Sequence, residues 1–329
     1  MSIVFARAPL RITLGGGGTD IPAYYRRHGG LTIGAAIDKH ISMLAHTTPF
    51  ADRYRVKHER LEEVDDPSQI GHPIVRAALQ QHWDQGPIEL ASVGDVPAGT
   101  GLGSSSAYTV CLLEALALAA GRSTSPARVA EDACAIEIDT LGRAVGKQDG
   151  YVAAFGGIRA YEYRPDGSVE VESLELGADT LARFRERSLL FFTGSVRDAS
   201  AVLADQVERT ERGDPAVLEN LHRTRRIAED TRAALVAGDL DGYARLLDEH
   251  WREKRTRVPG IASERVDCLY ETACGAGALG GRLIGAGGAG FLLVYSPEPD
   301  ATRAAMAAAD STELRFDIEL EGANGTVWA

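Results

Sequence analysis

The residues most suited to chemistry lie in the segment Pro97-Ala98-Gly99-Thr100-Gly101-Leu102-Gly103-Ser104-Ser105-Ser106. Glycines admit positive φ and let a backbone approach a ligand closely. The stretch that follows, AYTVCLLEALALAAG, is apolar almost all round. A helix of that kind is buried on every side, so the core holds its N-terminus firmly. That terminus offers unpaired N–H groups and a partial positive charge. Ser104, Ser105 and Ser106 fall in its first turn, where a hydroxyl reaches a phosphate or a phosphate-bound magnesium ion. The whole run from Pro97 through Gly99, Gly101, Leu102 and Gly103 therefore reads as an anion site, most naturally for the phosphates of a nucleotide. A serine-capped turn is the plainer reading, but the segment exceeds what a cap needs. It is not a Walker A loop, because no lysine follows the glycines.

Two further glycine segments flank it in sequence. Gly15, Gly16, Gly17 and Gly18 run into Thr19 and Asp20 at the end of an apolar stretch. Four consecutive glycines carry a large entropy loss on folding, which implies a close approach or a function. Asp20 can accept hydrogen bonds from sugar hydroxyls, and it is also the candidate N-cap of a short helix from about residue 21. The other segment, Gly285 to Gly290, matches GxGxxG, yet FLLVY follows it and reads as a strand. A dinucleotide fingerprint requires a helix there, so the match fails its context. A tight turn between strands remains, with a backbone flat enough to lie against a ligand.

The elements that must position these segments alternate. Strands are expected at 2–14, 31–47, 87–93, 157–163 and 168–174. Helices are expected near 21–28, 69–82, after Ser106, and from Ser125-Pro126, the last carrying Glu131 and Glu137. A loop, LGRAVGKQDG, brings the chain to Asp149. A second unit opens at the strand SLLFFTG. Three long helices follow (198–211, 214–237 and 239–256), then a helix at 263–275, strands GRLIG and FLLVYS, a helix at 299–309 and a final strand at 313–318. This succession gives an α+β or α/β architecture, with a domain boundary near residue 180 and no flexible linker.

Bulk properties exclude several classes. The chain has 329 residues and a formal net charge of −12. That length suits two domains. The acidity and the lack of a basic block argue against nucleic-acid binding. No apolar run is long enough to span a membrane. Arg7 and Arg11 interrupt any apolar leader, so an intracellular, cytoplasmic protein without an export signal is expected. Cys111, Cys134, Cys268 and Cys274 contain no CxxC pair and are expected to be reduced core residues.

The three glycine segments, in this order, resemble the three motifs of the GHMP kinases (galactokinase, homoserine kinase, mevalonate kinase, phosphomevalonate kinase), and the resemblance covers nearly the whole chain. APLRITLGGGGTD, GKQDGYVAAFGG, TGSVRDAS and HWREKR are similar to the branch that phosphorylates O1 of D-glycero-D-manno-heptose 7-phosphate. The resemblance implies an α+β fold in two domains. Residues 1–180 would form an ATP-binding domain like ribosomal protein S5 domain 2, and 181–329 a ferredoxin-like domain. It implies ATP and Mg2+, with Ser105 and Glu137 facing the metal and Asp139 as a substitute carboxylate. Asp149 matches the catalytic aspartate and Lys147 stands two residues before it.

The acceptor, a small sugar or sugar phosphate, would lie toward Gly16, Gly17, Gly18, Thr19 and Asp20, with Gly287 and Gly288 of the third motif nearby. Cations to meet an acceptor phosphate would be Arg11, Arg197, Lys254 and Arg255, while Arg252 and Arg257 read as a solvated helix face. Ala289 and Arg282 depart from the commoner glycine and lysine of relatives. Competing expectations are a C7-cyclitol phosphate kinase, an isoprenoid kinase, and a catalytically silent sugar and nucleotide sensor.

Overall fold

A computed structural model describes residues 2–196, 200–258 and 260–328. Two long strands organise the first half, β1 (Ser2–Gly15) and β2 (Gly30–Thr47), joined through the helix α1 (Pro22–His28). The period of two along β1 buries Val4, Ala6, Ala8, Leu10, Ile12 and Leu14. After these come β3 (Tyr54–Lys57), β4 (Leu61–Val64), α2 (Pro73–His82), β5 (Glu89–Gly94) and the buried helix α3 (Ser104–Ala119). Helix α4 (Pro126–Cys134) runs on into a π-helical turn, Ala135–Thr140, before α5 (Gln148–Phe155) and the hairpin β6 (Ile158–Tyr163) with β7 (Val169–Ser173).

The second half contains α6 (Ala178–Arg187), β8 (Ser188–Phe192), α7 (Ser200–Glu211), α8 (Pro215–Ala237), α9 (Leu240–Arg257), α10 (Glu264–Gly275), β9 (Gly280–Leu283), β10 (Phe291–Tyr295), α11 (Pro299–Ala308) and β11 (Asn324–Trp328). The large sheet has eight strands in the order β11-β1-β2-β5-β3-β4, with β6 and β7 added beside the first half of β2. A small sheet orders β8-β10-β9, antiparallel throughout. One apolar core joins both halves, from Leu10, Ile33 and Leu112 to Phe184, Ala228 and Leu293. Helix α8 packs against β1 and β2. None of the described helices is long and apolar enough to cross a membrane.

Three expectations are corrected. The final strand expected at 313–318 contributes only isolated bridges, Phe191 with Glu313 and Ile37 with Ile318. Its backbone bonds divide between the two sheets: Leu314 N donates to Leu190 O, and Asp38 N to Asp317 O. A segment that stitches two sheets cannot form a continuous ladder in either. The strand that does close the chain, β11, returns to pair with β1. The end of the chain thus belongs to the first sheet rather than to a unit starting at residue 181. Of the cysteines, Cys111 and Cys134 are buried, whereas Cys268 and Cys274 are exposed, and all four are free. Cys268 lies on the side of α10 away from Val266, Leu269 and Ala273, and Cys274 in its exposed last turn.

Candidate active site

The loop before α3 is built from alternating left-handed glycines, Gly99 (φ 76°), Gly101 (φ 81°) and Gly103 (φ 76°). A side chain is strained in that region, so the alternation requires glycine. The N-cap of α3 is Gly103, which has no side chain to offer the first-turn N–H groups. Arg11 ties the loop to β1: its backbone N–H donates to Leu102 O at 3.0 Å and its Nη1 to Gly101 O at 2.5 Å. The third glycine segment lies on the same loop. A Cβ at Gly285 would stand 2.5 Å from Gly101 Cα, and one at Gly290 would stand 2.2 Å from Thr100 O.

Asp149 sits in the first turn of α5, where its carboxylate receives Arg11 at two points, Nε at 2.8 Å and Nη2 at 2.7 Å. Gly103 separates this pair from the serines of α3, since a Cβ there would lie 3.3 Å from Asp149 Cγ. Asp20 is buried beside them. It does not cap α1, whose N-cap is Ile21 without a side-chain bond. Its oxygens instead accept from Gly18 N at 3.0 Å and Gln148 N at 3.2 Å. Burial, and then the charge of Asp149, pushes the Asp20 carboxyl above its ordinary value.

On the other side of Gly103, Ser105 Oγ donates to Glu137 Oε2 at 3.1 Å, and Thr109 Oγ1 reaches Glu137 Oε1 at 3.3 Å. The π-helical turn aims the Glu137 carboxylate at α3, where it is 2% exposed. Burial raises its pKa, partly offset by hydrogen bonds from Ser106 and Ser105 and by the charge of Arg143. Arg143 Nη1 lies 2.8 Å from Ser105 Oγ and 3.2 Å from Glu137 Oε2. Asp139 is exposed. Ser104, Ser105, Gly99 and Arg143 line a cavity of about 750 Å³ whose far wall carries His58, His72 and Tyr108. The His72 ring stacks on Tyr108 with centroids 5.0 Å apart.

A second, smaller cleft is lined by Arg11, Asp149, Asp20, Gly17, Gly18, Lys254, Arg257 and Arg282. Its cations are buried. Arg282 is 2% exposed, with Nη1 2.6 Å from His250 Nδ1 and its Nε without a partner among the described residues. Arg257 donates to Gly17 O (3.0 Å), Asn220 Oδ1 (2.7 Å) and Thr224 Oγ1 (2.8 Å). Lys254 Nζ donates to the carbonyls of Leu283, at 2.8 Å, and Gly285. Burial pushes Arg257 down to about 10 and Arg282 down to about 9. Both still carry charge at neutral pH. Burial also lowers Lys254 well below its usual range, with Arg282 the next cause.

Comparison with known proteins identifies this arrangement. Residues 72–157, from the start of α2 to the end of α5, match the family model for the GHMP kinases N terminal domain, and residues 231–311 match that for the GHMP kinases C terminal. The chain belongs to the GHMP kinase family. It is accordingly a phosphotransferase with a hydroxyl group as acceptor. It is 27% identical over 307 residues, covering 90% of each chain, to the D-glycero-alpha-D-manno-heptose 7-phosphate kinase of Campylobacter jejuni. It shares 26% identity and a TM-score of 0.79, over 99% of both chains, with the crystal structure of a D-glycero-D-manno-heptose 1-phosphate kinase from Bacteriodes thetaiotaomicron. The Lactococcus lactis galactokinase complexed with galactose shares the fold, at 18% identity with a TM-score of 0.80 over 98% of this chain and 95% of that one.

GHMP kinases use ATP, generally with Mg2+. Among the described residues no group of three His, Cys, Asp or Glu side chains gathers as a metal cage. Magnesium does not need one, since it keeps waters and takes one or two protein oxygens plus substrate phosphates. The buried Glu137 carboxylate and the Ser105 hydroxyl, hard oxygens at the mouth of α3, fit that requirement.

Several residues expected in the GHMP kinase site lie elsewhere. Lys147 does not reach the cleft: its ammonium binds both oxygens of Glu131, at 3.0 and 2.9 Å, and Gly167 O at 2.8 Å. Arg255 turns outward to Asp267 at 3.0 Å. Gly287 and Gly288 face Ile261, whose carbonyl accepts from Gly288 N at 2.8 Å, so it is Gly285 and Ala286 that line the cleft. Arg197 lies outside the described residues. Two cleft residues escaped the sequence reading, Arg257 and Arg282. The signal for Arg257 was available, because His250, Lys254 and Arg257 share one stripe of α9 at i, i+4 and i+7.

Proposed function

We propose that this chain is an ATP-dependent sugar kinase that phosphorylates the anomeric O1 of a heptose 7-phosphate to give the 1,7-bisphosphate. The observation that carries the reading is the charge of the acceptor cleft. Arg11 is matched by Asp149, while Arg257 and Arg282 share the cleft lining with one further carboxylate, Asp20, and Glu253 also acts on Arg257. Buried cations in excess require an anion. A phosphorylated sugar supplies one, together with hydroxyls for Asp20. The named activity of the Campylobacter jejuni relative, over 90% of both chains, supports the same acceptor class.

Phosphoryl transfer asks mainly for positioning and charge stabilisation. The glycines from 99 to 103 and the first turn of α3 would hold the triphosphate by N–H groups and the helix dipole. A divalent ion at Ser105 and Glu137 would supply charge against the β- and γ-phosphate oxygens. Asp149, fixed by Arg11, would orient the anomeric hydroxyl and accept its proton as oxygen attacks the γ-phosphorus and the bridging oxygen leaves with ADP. An anomeric hydroxyl is more acidic than an ordinary alcohol, so a carboxylate suffices. The test is coupled ADP release with Mg2+ and ATP over heptose 7-phosphates, free heptoses, hexoses and C7-cyclitol phosphates. Turnover confined to heptose 7-phosphates is expected, and turnover on free sugars alone would sink the phosphate requirement.

A further inference from the structure

The position of Arg143 has a consequence beyond neutralising a buried acid. Its Nη1 contacts the same two oxygens that suit the metal, Ser105 Oγ at 2.8 Å and Glu137 Oε2 at 3.2 Å. Those two oxygens are themselves 3.1 Å apart. A magnesium ion binds oxygen at about 2.0–2.1 Å, so it needs the lone pairs that the guanidinium now occupies. Two positive groups competing for one carboxylate in a partly buried site also repel each other. Guanidinium and metal therefore exclude one another there.

Arg143 is also placed to leave. It follows Gly142, which is exposed and left-handed at φ 61°, in a connection with no regular structure between the π-helical turn and α5. Its side chain is 33% exposed and lines the 750 Å³ cavity. Glu137, by contrast, is fixed by burial and by Thr109. The more exposed side chain of the pair is the cation.

We propose that Arg143 is a placeholder for the divalent ion. It neutralises Glu137 while the metal position is vacant and gives up Ser105 and Glu137 when the metal–nucleotide complex enters. The inference rests on the assignment of Ser105 and Glu137 to the metal. It makes Arg143 a positioning residue whose removal acts in opposite directions on two forms of one nucleotide. Without Arg143, metal-free ADP meets an uncompensated carboxylate and binds more weakly. Mg2+–ADP no longer has to displace a guanidinium and binds as well or better.

The experiment measures ADP affinity by calorimetry, in excess Mg2+ and in chelator, for wild type, R143M and R143K. The ratio of the two dissociation constants, chelator over Mg2+, is expected to rise about tenfold in R143M. It should stay within about twofold of wild type in R143K, which keeps a cation. A general structural role or a plain phosphate contact would weaken both forms alike. An unchanged or smaller ratio in R143M overturns the proposal. Should R143M fail to fold, R143Q is read on the same ratio with the same expectation. A wild-type ratio near one removes the metal assignment itself and the proposal with it. That result is distinct from failure in the variant alone.

Discussion

Arg11 holds Asp149 by two hydrogen bonds, Nε to Oδ1 at 2.8 Å and Nη2 to Oδ2 at 2.7 Å, while its Nη1 holds the Gly101 carbonyl at 2.5 Å. One buried guanidinium thus sets the carboxylate that would meet the acceptor against the loop that would hold the donor. Asp149→Asn keeps the shape but turns one acceptor oxygen into a donor facing Arg11. We expect ADP affinity within about threefold of wild type and turnover lower by about 10²–10⁴, the range of a positioned acid–base group. Single-turnover rates beside ADP titrations check this. Near-normal turnover removes Asp149 from the mechanism.

Arg282 tests the phosphate reading. Its Nε has no partner among the described residues, and its Nη1 leans on a buried His250. Burial and the neighbouring cations keep that imidazole well below its usual pKa, so it is neutral and accepts. Arg282→Met removes a charge-assisted bond worth about 1.5–3 kcal/mol. KM for the phosphorylated acceptor should rise about 10–100-fold, KM for ATP should hold, and the inhibition constant of the unphosphorylated sugar should not rise. Equal losses for both sugars would give Arg282 a packing role only.

Much of this site was legible because its chemistry is local in sequence. The alternate glycines from 99 to 103, the serines of the first turn and the buried helix behind them are one continuous segment, joined through left-handed backbone at Gly99, Gly101 and Gly103. Glu137, Asp149 and Asp20 come to that loop from three separate elements, and a family resemblance supplied what spacing alone could not. The failures have a common cause. Lys147 stands two residues from Asp149, but the intervening turn sends its side chain to Glu131 and Gly167, which no spacing rule foresees. Arg255 and Arg257 are both basic residues of one helix end, and only the burial of the His250 stripe decides which faces inward. The third glycine segment serves contact between loops, and the partner of a close approach cannot be read from the glycine alone.

Lys254 couples acceptor binding to protons. Burial, followed by the charges of Arg282, Arg257 and Arg11, lowers its pKa in the empty cleft. A bound phosphate stabilises the ammonium and raises that pKa, so binding takes up a proton. Affinity for the phosphorylated acceptor should therefore fall as pH rises through the pKa of the complex. Calorimetry in two buffers of different ionisation enthalpy, repeated up the pH range above the phosphate's own titration, should show net uptake. Lys254→Met should abolish it. Wild type without uptake would mean that Lys254 holds one protonation state throughout.

The contact between Gly285 and the donor loop predicts that a residue of the second half controls ATP affinity. Gly285 is left-handed at φ 76°, and an added Cβ would stand 2.5 Å from Gly101 Cα. Both backbones must move, because neither contact atom belongs to a flexible side chain. Gly285→Ala should cost about 1–3 kcal/mol of stability, a fall in Tm of roughly 1–5 °C. It should also raise KM for ATP several-fold, since Gly101 shifts with it. Gly167, left-handed at φ 91° at the tip of the β6–β7 hairpin with open space around it, provides the control. Gly167→Ala carries the backbone strain without the collision and should leave KM for ATP unchanged. A Gly285→Ala protein with lowered Tm and unaltered KM for ATP would show that the two glycine loops touch without positioning each other.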